Sequence, residues 1–156
     1  GEACEAACAR AARSGWSVGM LYIDLDGFKD VNDSYGHDLG DVVLRETARR
    51  LDACIRRDEL VARLGGDEFA VLIEAVRTPD QAIVLAERIL DAVARPVTGL
   101  PDGANLGASI GIAVRSSEGI EMSTLMRQAD EAMYHAKRNG RARWELSGDL
   151  DAISIG

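Results

Sequence analysis

Apolar positions recur along the chain with two periods, close to two residues in some stretches and to three or four in others. Val18 to Leu25 reads as a strand, and so do Leu60-Val61-Ala62-Arg63-Leu64 and Phe69-Ala70-Val71-Leu72-Ile73. The Gly65-Gly66 pair between the last two is a hairpin signal, because glycine supplies the positive φ that a tight turn needs. Leu39 to Arg56 has helical spacing, with Val42, Val43, Leu44, Ala48, Leu51 and Ile55 facing inward. Pro79 sits at a helix start, Ala82 to Ala94 is amphipathic, and Pro96 ends that helix. Ala104 to Val114 is another strand, whose small residues Gly107, Ala108, Ser109 and Gly111 leave room for a close neighbour. Met122 to Arg138 is a helix closed by Asn139-Gly140, and Arg143-Trp144-Glu145-Leu146 suits an edge strand. The order predicts an α+β fold, a mixed central sheet flanked by helices, with the glycine-acid segment at a hairpin tip.

The opening EACEAACARAAR reads as a helix already under way, as expected of a piece cut from a longer protein. One domain is expected over residues 1–156, with 1–16 a truncated N-terminal helix and 147–156 a tail or the start of a linker. Eighteen basic against 26 acidic residues give a net charge of -8, which argues against a nucleic-acid partner but leaves room for a small nucleotide held by metal ions. Cys4, Cys8 and Cys54 form neither a disulfide framework nor a zinc site, and a reduced cytoplasmic setting is expected. No stretch of this chain is long and apolar enough to span a bilayer, and no signal peptide is expected in it.

Two acidic clusters stand out. Asp67 and Glu68 follow the glycine pair, where acids beside a turn are commonly just solvated. The second cluster, YIDLDGFKDVNDSYGHDLGD, runs from Tyr22 to Asp41 and sets Asp24 at the end of the first strand. An EF-hand loop fails here, because counting from Asp24 puts Gly27 at position four and Tyr35 at position twelve, where glycine at six and glutamate at twelve are required. No GxGxxG, Walker A loop or GxSxG elbow occurs either, so a nucleotide site would have to be built from metals and turns.

Together these stretches resemble the GGDEF domain family, the diguanylate cyclases that join two GTP into the bacterial second messenger cyclic di-GMP. Arg63-Leu64-Gly65-Gly66-Asp67-Glu68-Phe69 looks like the family signature. Asp24 to Asp33 with Gly36-His37-Asp38 and Gly40-Asp41, and Ala129 to Lys137 with Asn139-Gly140-Arg141, look like its other motifs. The resemblance runs in order from roughly Ser17 to Leu146 and implies a nucleotidyl-cyclase, palm-like fold. It also implies two Mg²⁺ per site, Mn²⁺ being an acceptable substitute. Asp24, the Leu25 carbonyl and Asp67 would be metal ligands, with Glu68 at the metals or activating the attacking hydroxyl. Asn32 and Asp41 would read guanine, and the Gly27 and Phe28 amides with Gly66 would lie against the nucleotide. Lys137 and Arg141 would hold terminal phosphates.

Simpler accounts stand beside these. Asp41 also suits a carboxylate near a helix start after an Asp38 cap, and Lys137 and Arg141 suit favourable charge at a helix C-terminus. His37 and His135 are expected in a turn and on a helix surface, Cys4 and Cys8 on a packing face, and Trp16 and Trp144 in core or edge packing. Two departures from the family pattern are visible. Its product-inhibition motif Arg-x-x-Asp is degenerate here, Arg56-Arg57-Asp58-Glu59 ending in Glu59, and its opening Asp-x-Leu-Thr-x-Leu-x-Asn-Arg segment is absent. The function expected is a diguanylate cyclase acting through a transient homodimer, with sensory or membrane domains elsewhere in the full-length protein. The competing expectation is a catalytically weak GTP- or cyclic di-GMP-binding module that regulates a neighbouring domain.

Overall fold

The computed structural model describes residues 2, 5, 6, 9, 10, 15–101, 104 and 106–148. The five described positions before residue 15 are helical; Cys4, Cys8 and most of the expected tail lie outside the described residues. Five strands form one sheet in the order β2-β3-β1-β4-β5. These are β1 (Ser17–Asp26), β2 (Glu59–Gly65), β3 (Glu68–Val76), β4 (Gly107–Ser116) and β5 (Arg143–Leu146). β1 lies at the centre, antiparallel to β3 on one side and β4 on the other, and the edge strand β5 runs parallel to β4. The expected mixed sheet and edge strand are therefore present.

Side chains alternate across the sheet and so divide the core in two. Leu21, Ile23, Leu25, Phe69, Val71, Ile110 and Ile112 face α1 (Phe28–Tyr35), α2 (His37–Cys54) and α3 (Pro79–Ala94). Val18, Met20, Ala70, Leu72 and Ala113 face α4 (Met122–Arg138), which contributes Leu125 and Ala129. The small-residue stretch of β4 does admit a close neighbour. A Cβ on Gly111 would lie 1.9 Å from the Ala129 carbonyl oxygen, so α4 rests its backbone directly on the sheet.

Several expected boundaries shift. α1 is a helix where the sequence shows only an acidic cluster. Its eight residues offer just Phe28 and Val31 to the core, too few for a legible period among Asp, Asn and Ser. Asp38 is not a cap: Gly36 occupies that position, no side-chain cap bond is made, and His37 opens the helix instead of lying in a turn. β4 begins at Gly107 and not at residue 104, because it starts where pairing with Asp26 becomes available. At α3, Thr78 and Gln81 form a capping box ahead of Pro79.

The C-termini of α2 and α3 satisfy each other. Arg50 on α2 donates to the Ala92 (2.9 Å), Arg95 (2.8 Å) and Pro96 (2.9 Å) carbonyls, while Arg88 on α3 donates to the Cys54 carbonyl at 2.9 Å. The last carbonyls of a helix have no intrahelical donor, so a cation placed there meets both the hydrogen-bond deficit and the dipole. Arg50→Ala is expected to cost about 2 kcal/mol of stability in urea denaturation; a loss below about 0.5 kcal/mol would show that water replaces the guanidinium.

Candidate active site

β1 ends at the sheet's centre, and its final turn of alternation sends Tyr22, Asp24 and Asp26 to the α4 face. Asp24 stands directly opposite Glu68 in the β1–β3 register, and the Leu25 amide donates to the Asp67 carbonyl at 3.1 Å. The hairpin tip is thereby tied to the strand end. Its turn needs φ of 146° at Gly65 and 50° at Gly66, which side-chain-bearing residues adopt only at a cost. Arg63 secures the turn by donating to the Gly66 carbonyl through Nε (3.1 Å) and a terminal nitrogen (2.8 Å).

Asp24 is the electrostatic centre. One carboxylate oxygen takes the Lys137 ammonium at 2.9 Å; the other, Oδ1, is buried without a hydrogen-bond partner. Burial, with the neighbouring Asp67 carboxylate, lifts the Asp24 carboxyl to about 6 from an ordinary 3.8, while Lys137 pulls the other way. On the same face burial, together with the neighbouring Glu68 carboxylate, raises the pKa of the Tyr22 phenol. Burial and the Glu68 charge also raise the Asp130 carboxyl on α4. Neither Tyr22 nor Asp130 is legible as a site residue in sequence, since an aromatic in a strand and an acid on a helix both read as ordinary surface and packing.

Among the described residues no three His, Cys, Asp or Glu side chains converge closely enough to hold an ion unaided. Magnesium does not demand this, because it binds one or two carboxylates and completes its octahedron with water and substrate phosphate. Asp24, with an orphaned oxygen, and the adjacent Asp67 fit that requirement. An N–H and C=O of one strand residue point to the same side, so the Leu25 carbonyl also faces the hairpin.

All the remaining expected site residues except Arg56 and Glu59 lie on the elements that meet at this end of β1. Gly27 is the N-cap of α1 and Phe28 its first residue, with no side chain capping the first-turn amides. Such amides are natural anion donors. Asn32, on α1, has a buried side-chain oxygen with no partner, and a Cβ on Gly40 would lie 1.8 Å from it. Gly40 thus lets α2 press against the Asn32 amide, with exposed Asp41 next in the helix. Lys137 and Arg141 each face an acid of β1, Arg141 Nε lying 4.0 Å from Asp26 Oδ1. Gly66 is at the tip. Arg56 and Glu59 are elsewhere: they line a groove of about 260 Å³ with Thr78, Asp80, Gln81 and Arg88, at the opposite end of β2 from the tip. There Glu59 is occupied locally, accepting the Arg56 amide at 2.8 Å. His135 is on an exposed helix surface, Trp144 packs at the core's edge, and Trp16 stacks with Arg77 at 4.5 Å.

The sheet order, the helices on both faces and the acidic hairpin against the central strand define the palm-like, nucleotidyl-cyclase class of α+β domain. The family model described as "Diguanylate cyclase, GGDEF domain" matches residues 2–143, and the chain belongs to that family. It is 47% identical over 151 residues to the bifunctional diguanylate cyclase/cyclic di-GMP phosphodiesterase MucR of Pseudomonas aeruginosa, covering 95% of this chain but 22% of that protein. The crystal structure of the GGDEF domain of TpbB (YfiN) from Pseudomonas aeruginosa superposes with a TM-score of 0.82 at 38% identity, covering 92% of each chain. The coiled-coil and GGDEF structure of DgcB from Caulobacter crescentus, in complex with c-di-GMP, gives a TM-score of 0.83 at 29% identity over 93% of this chain and 77% of that one.

Two predictions follow from the geometry. Gly40→Ala should fold, because the obstructing atom ends a side chain that can swing away, yet it should displace the Asn32 amide and weaken guanine nucleotide binding about tenfold by calorimetry; unchanged affinity would separate Asn32 from the base. The second concerns pH. With its folded-state value above that of an ordinary aspartate, Asp24 binds a proton more readily in the native than in the unfolded chain. Its ionised form therefore subtracts stability, the loss accumulating as pH rises from about 4 to about 6. Asp24→Asn should stabilise the nucleotide-free protein by about 1–3 kcal/mol at pH 8 and by much less at pH 4. Equal effects at both pH values would contradict the assignment.

Proposed function

We propose that the chain is a diguanylate cyclase domain condensing two GTP into cyclic di-GMP with release of two pyrophosphates. The observation that carries this reading is the buried Asp24 carboxylate, with one oxygen unpartnered, beside Asp67 and Lys137 at the tip of the GG-acid hairpin. A binding module has no need to keep a carboxylate at that cost in stability.

In each step a 3′-hydroxyl oxygen bonds to an α-phosphorus, the bond from that phosphorus to the β-phosphate bridging oxygen breaks, and pyrophosphate leaves. Asp24, the Leu25 carbonyl, Asp67 and Glu68 would hold two magnesium ions, which supply charge neutralisation on the phosphate oxygens and a more acidic hydroxyl. The hydroxyl proton passes to a carboxylate of the Asp67–Glu68 pair, with the Tyr22 phenol beside Glu68. The first-turn amides at Gly27 and Phe28 receive phosphate oxygens, and Lys137 and Arg141 hold the terminal phosphates. Asn32 and Asp41 select guanine, whose N1–H and exocyclic amine are donors; adenine offers an acceptor at N1 and leaves buried groups unpaired. A cytoplasmic setting, where GTP and magnesium are available, belongs to the same reading.

The product requires two equivalent linkages, yet one chain offers one base reader, one phosphate grip and one carboxylate cluster. Two copies meeting at their hairpin tips about a two-fold axis would form both bonds. Purified chain incubated with GTP and Mg²⁺ should yield cyclic di-GMP and pyrophosphate, at a rate close to the square of protein concentration while dimers are scarce. Fusing a dimerising helix ahead of Gly1 should raise that rate through effective concentration. No product at any concentration, with GTP bound intact, would turn the reading to a regulatory module; a strictly linear rate from monomers would remove the dimer.

A further inference from the structure

Asp26 has no part in the chemistry set out above, yet it gathers more polar contacts than any other side chain at the strand end. Its Oδ1 accepts the Ser109 hydroxyl at 2.8 Å, and its Oδ2 accepts the Ala142 amide at 2.9 Å. The same Oδ1 lies 4.0 Å from Arg141 Nε, and the Asp26 side chain is 12% exposed against 62% for Arg141. Arg141 and Ala142, with φ of 61° and 48°, are both in the left-handed region that residues with side chains avoid. The Arg141 amide closes α4 by donating to the Ala136 carbonyl at 3.0 Å, three residues inside the Asn139 cap. β5 then begins at Arg143, paired with Ser109, so the residue that anchors Asp26 also fixes the start of β5.

We infer that Asp26 is a positioning residue: it clamps the left-handed turn at 141–142 so that the Arg141 guanidinium is presented to the terminal phosphates of the bound nucleotide. This rests on the proposed role of Arg141 as a phosphate cation. Asp24 meets Lys137 in the last turn of α4, and Asp26 meets Arg141 in the turn beyond that helix's Asn139 cap. The two pairs differ in one respect. Lys137 is in direct contact with Asp24 at 2.9 Å, while at 4.0 Å Arg141 is oriented by Asp26 without being captured, leaving its exposed end free for an anion. Asp26 holds the backbone and the side chain follows.

Two ligands isolate the role: GMP, which lacks terminal phosphates, and a GTP analogue with a methylene between the α- and β-phosphates, which cannot turn over. Their affinities are measured by calorimetry with Mg²⁺. Asp26→Ala should weaken the analogue about tenfold and leave GMP unchanged. Asp26→Asn should stay within about threefold of the parent, because its amide oxygen can still accept the Ala142 N–H while its NH₂ donates to Ser109. Adding Asp26→Ala to Arg141→Met should cost nothing beyond Arg141→Met alone, since a clamp has no effect once the group it presents is gone. Additive losses, equal loss of GMP, or an Asn variant as weak as Ala would overturn the positioning role. Analogue binding lowered by Arg141→Met but untouched by Asp26→Ala would also overturn it, with Arg141 keeping its own role. If Arg141→Met binds the analogue normally, the terminal-phosphate reading falls and the inference with it.

Discussion

A carboxylate that the fold does not fully neutralise sits at the end of the central strand, and the surrounding structure is arranged about it. Asp24 is 9% exposed, its pKa is raised by burial, and Lys137 compensates one oxygen only. Leaving a charge in this state is costly, and the cost is borne only where neighbouring elements hold the geometry rigidly. β1 supplies that rigidity, being paired along its length on both sides. The hairpin is secured to the same point through the Leu25 amide and the Asp67 carbonyl, so a second carboxylate is held close to the first against their mutual repulsion.

The depth at which Lys137 reaches Asp24 is set by a residue far along β4. Gly111 meets the backbone of α4 at Ala129 and Met133, and any side chain there would lift the helix off the sheet. Helices usually stand away from a sheet by the thickness of two layers of side chains. Here one layer is missing at the contact, and Ala129, Ala132 and Ala136 continue the close approach on the helix side. The small residues of β4 and the short side chains of α4 thus act on the site without touching a ligand, through the height of the helix that carries Lys137 and leads into the turn of Arg141.

What could be read from sequence follows the strength of the local signal. The hairpin, β5 and α4 were legible because alternation, a glycine pair and an Asn-Gly stop each point to a single structure. α1 was not, because an eight-residue helix of Asp, Asn and Ser buries only two side chains and looks like a loop. For the site, the family resemblance pointed to Asp24, Asp67 and Lys137, and the fold brings those three together. Alternation alone does not separate Asp24 from Asp26, since both fall on one face and differ only in what lies opposite; the family resemblance singles out Asp24. The sequence also could not show that the Glu59 side chain is turned back onto the Arg56 amide.

Stability and reactivity occupy different parts of the molecule, and the hydrogen-bond pattern shows where the division runs. On the α2–α3 side, helix ends are closed by Arg50 and Arg88, and α3 opens with a complete capping box. At the end of β1 the pattern reverses: α1 and α2 start without side-chain caps, and both Asp24 Oδ1 and Asn32 Oδ1 are buried without partners. The two orphaned acceptors differ in kind. A charged oxygen beside a second carboxylate favours a cation, whereas a neutral amide pressed against Gly40 can satisfy a donor and an acceptor of a flat heterocycle but gains little from an ion. Uncapped helix amides nearby favour an anion. A cation-binding phosphate group at one end and a hydrogen-bonding base at the other would answer all three, which is the chemistry of the metal-bound nucleotide proposed as substrate.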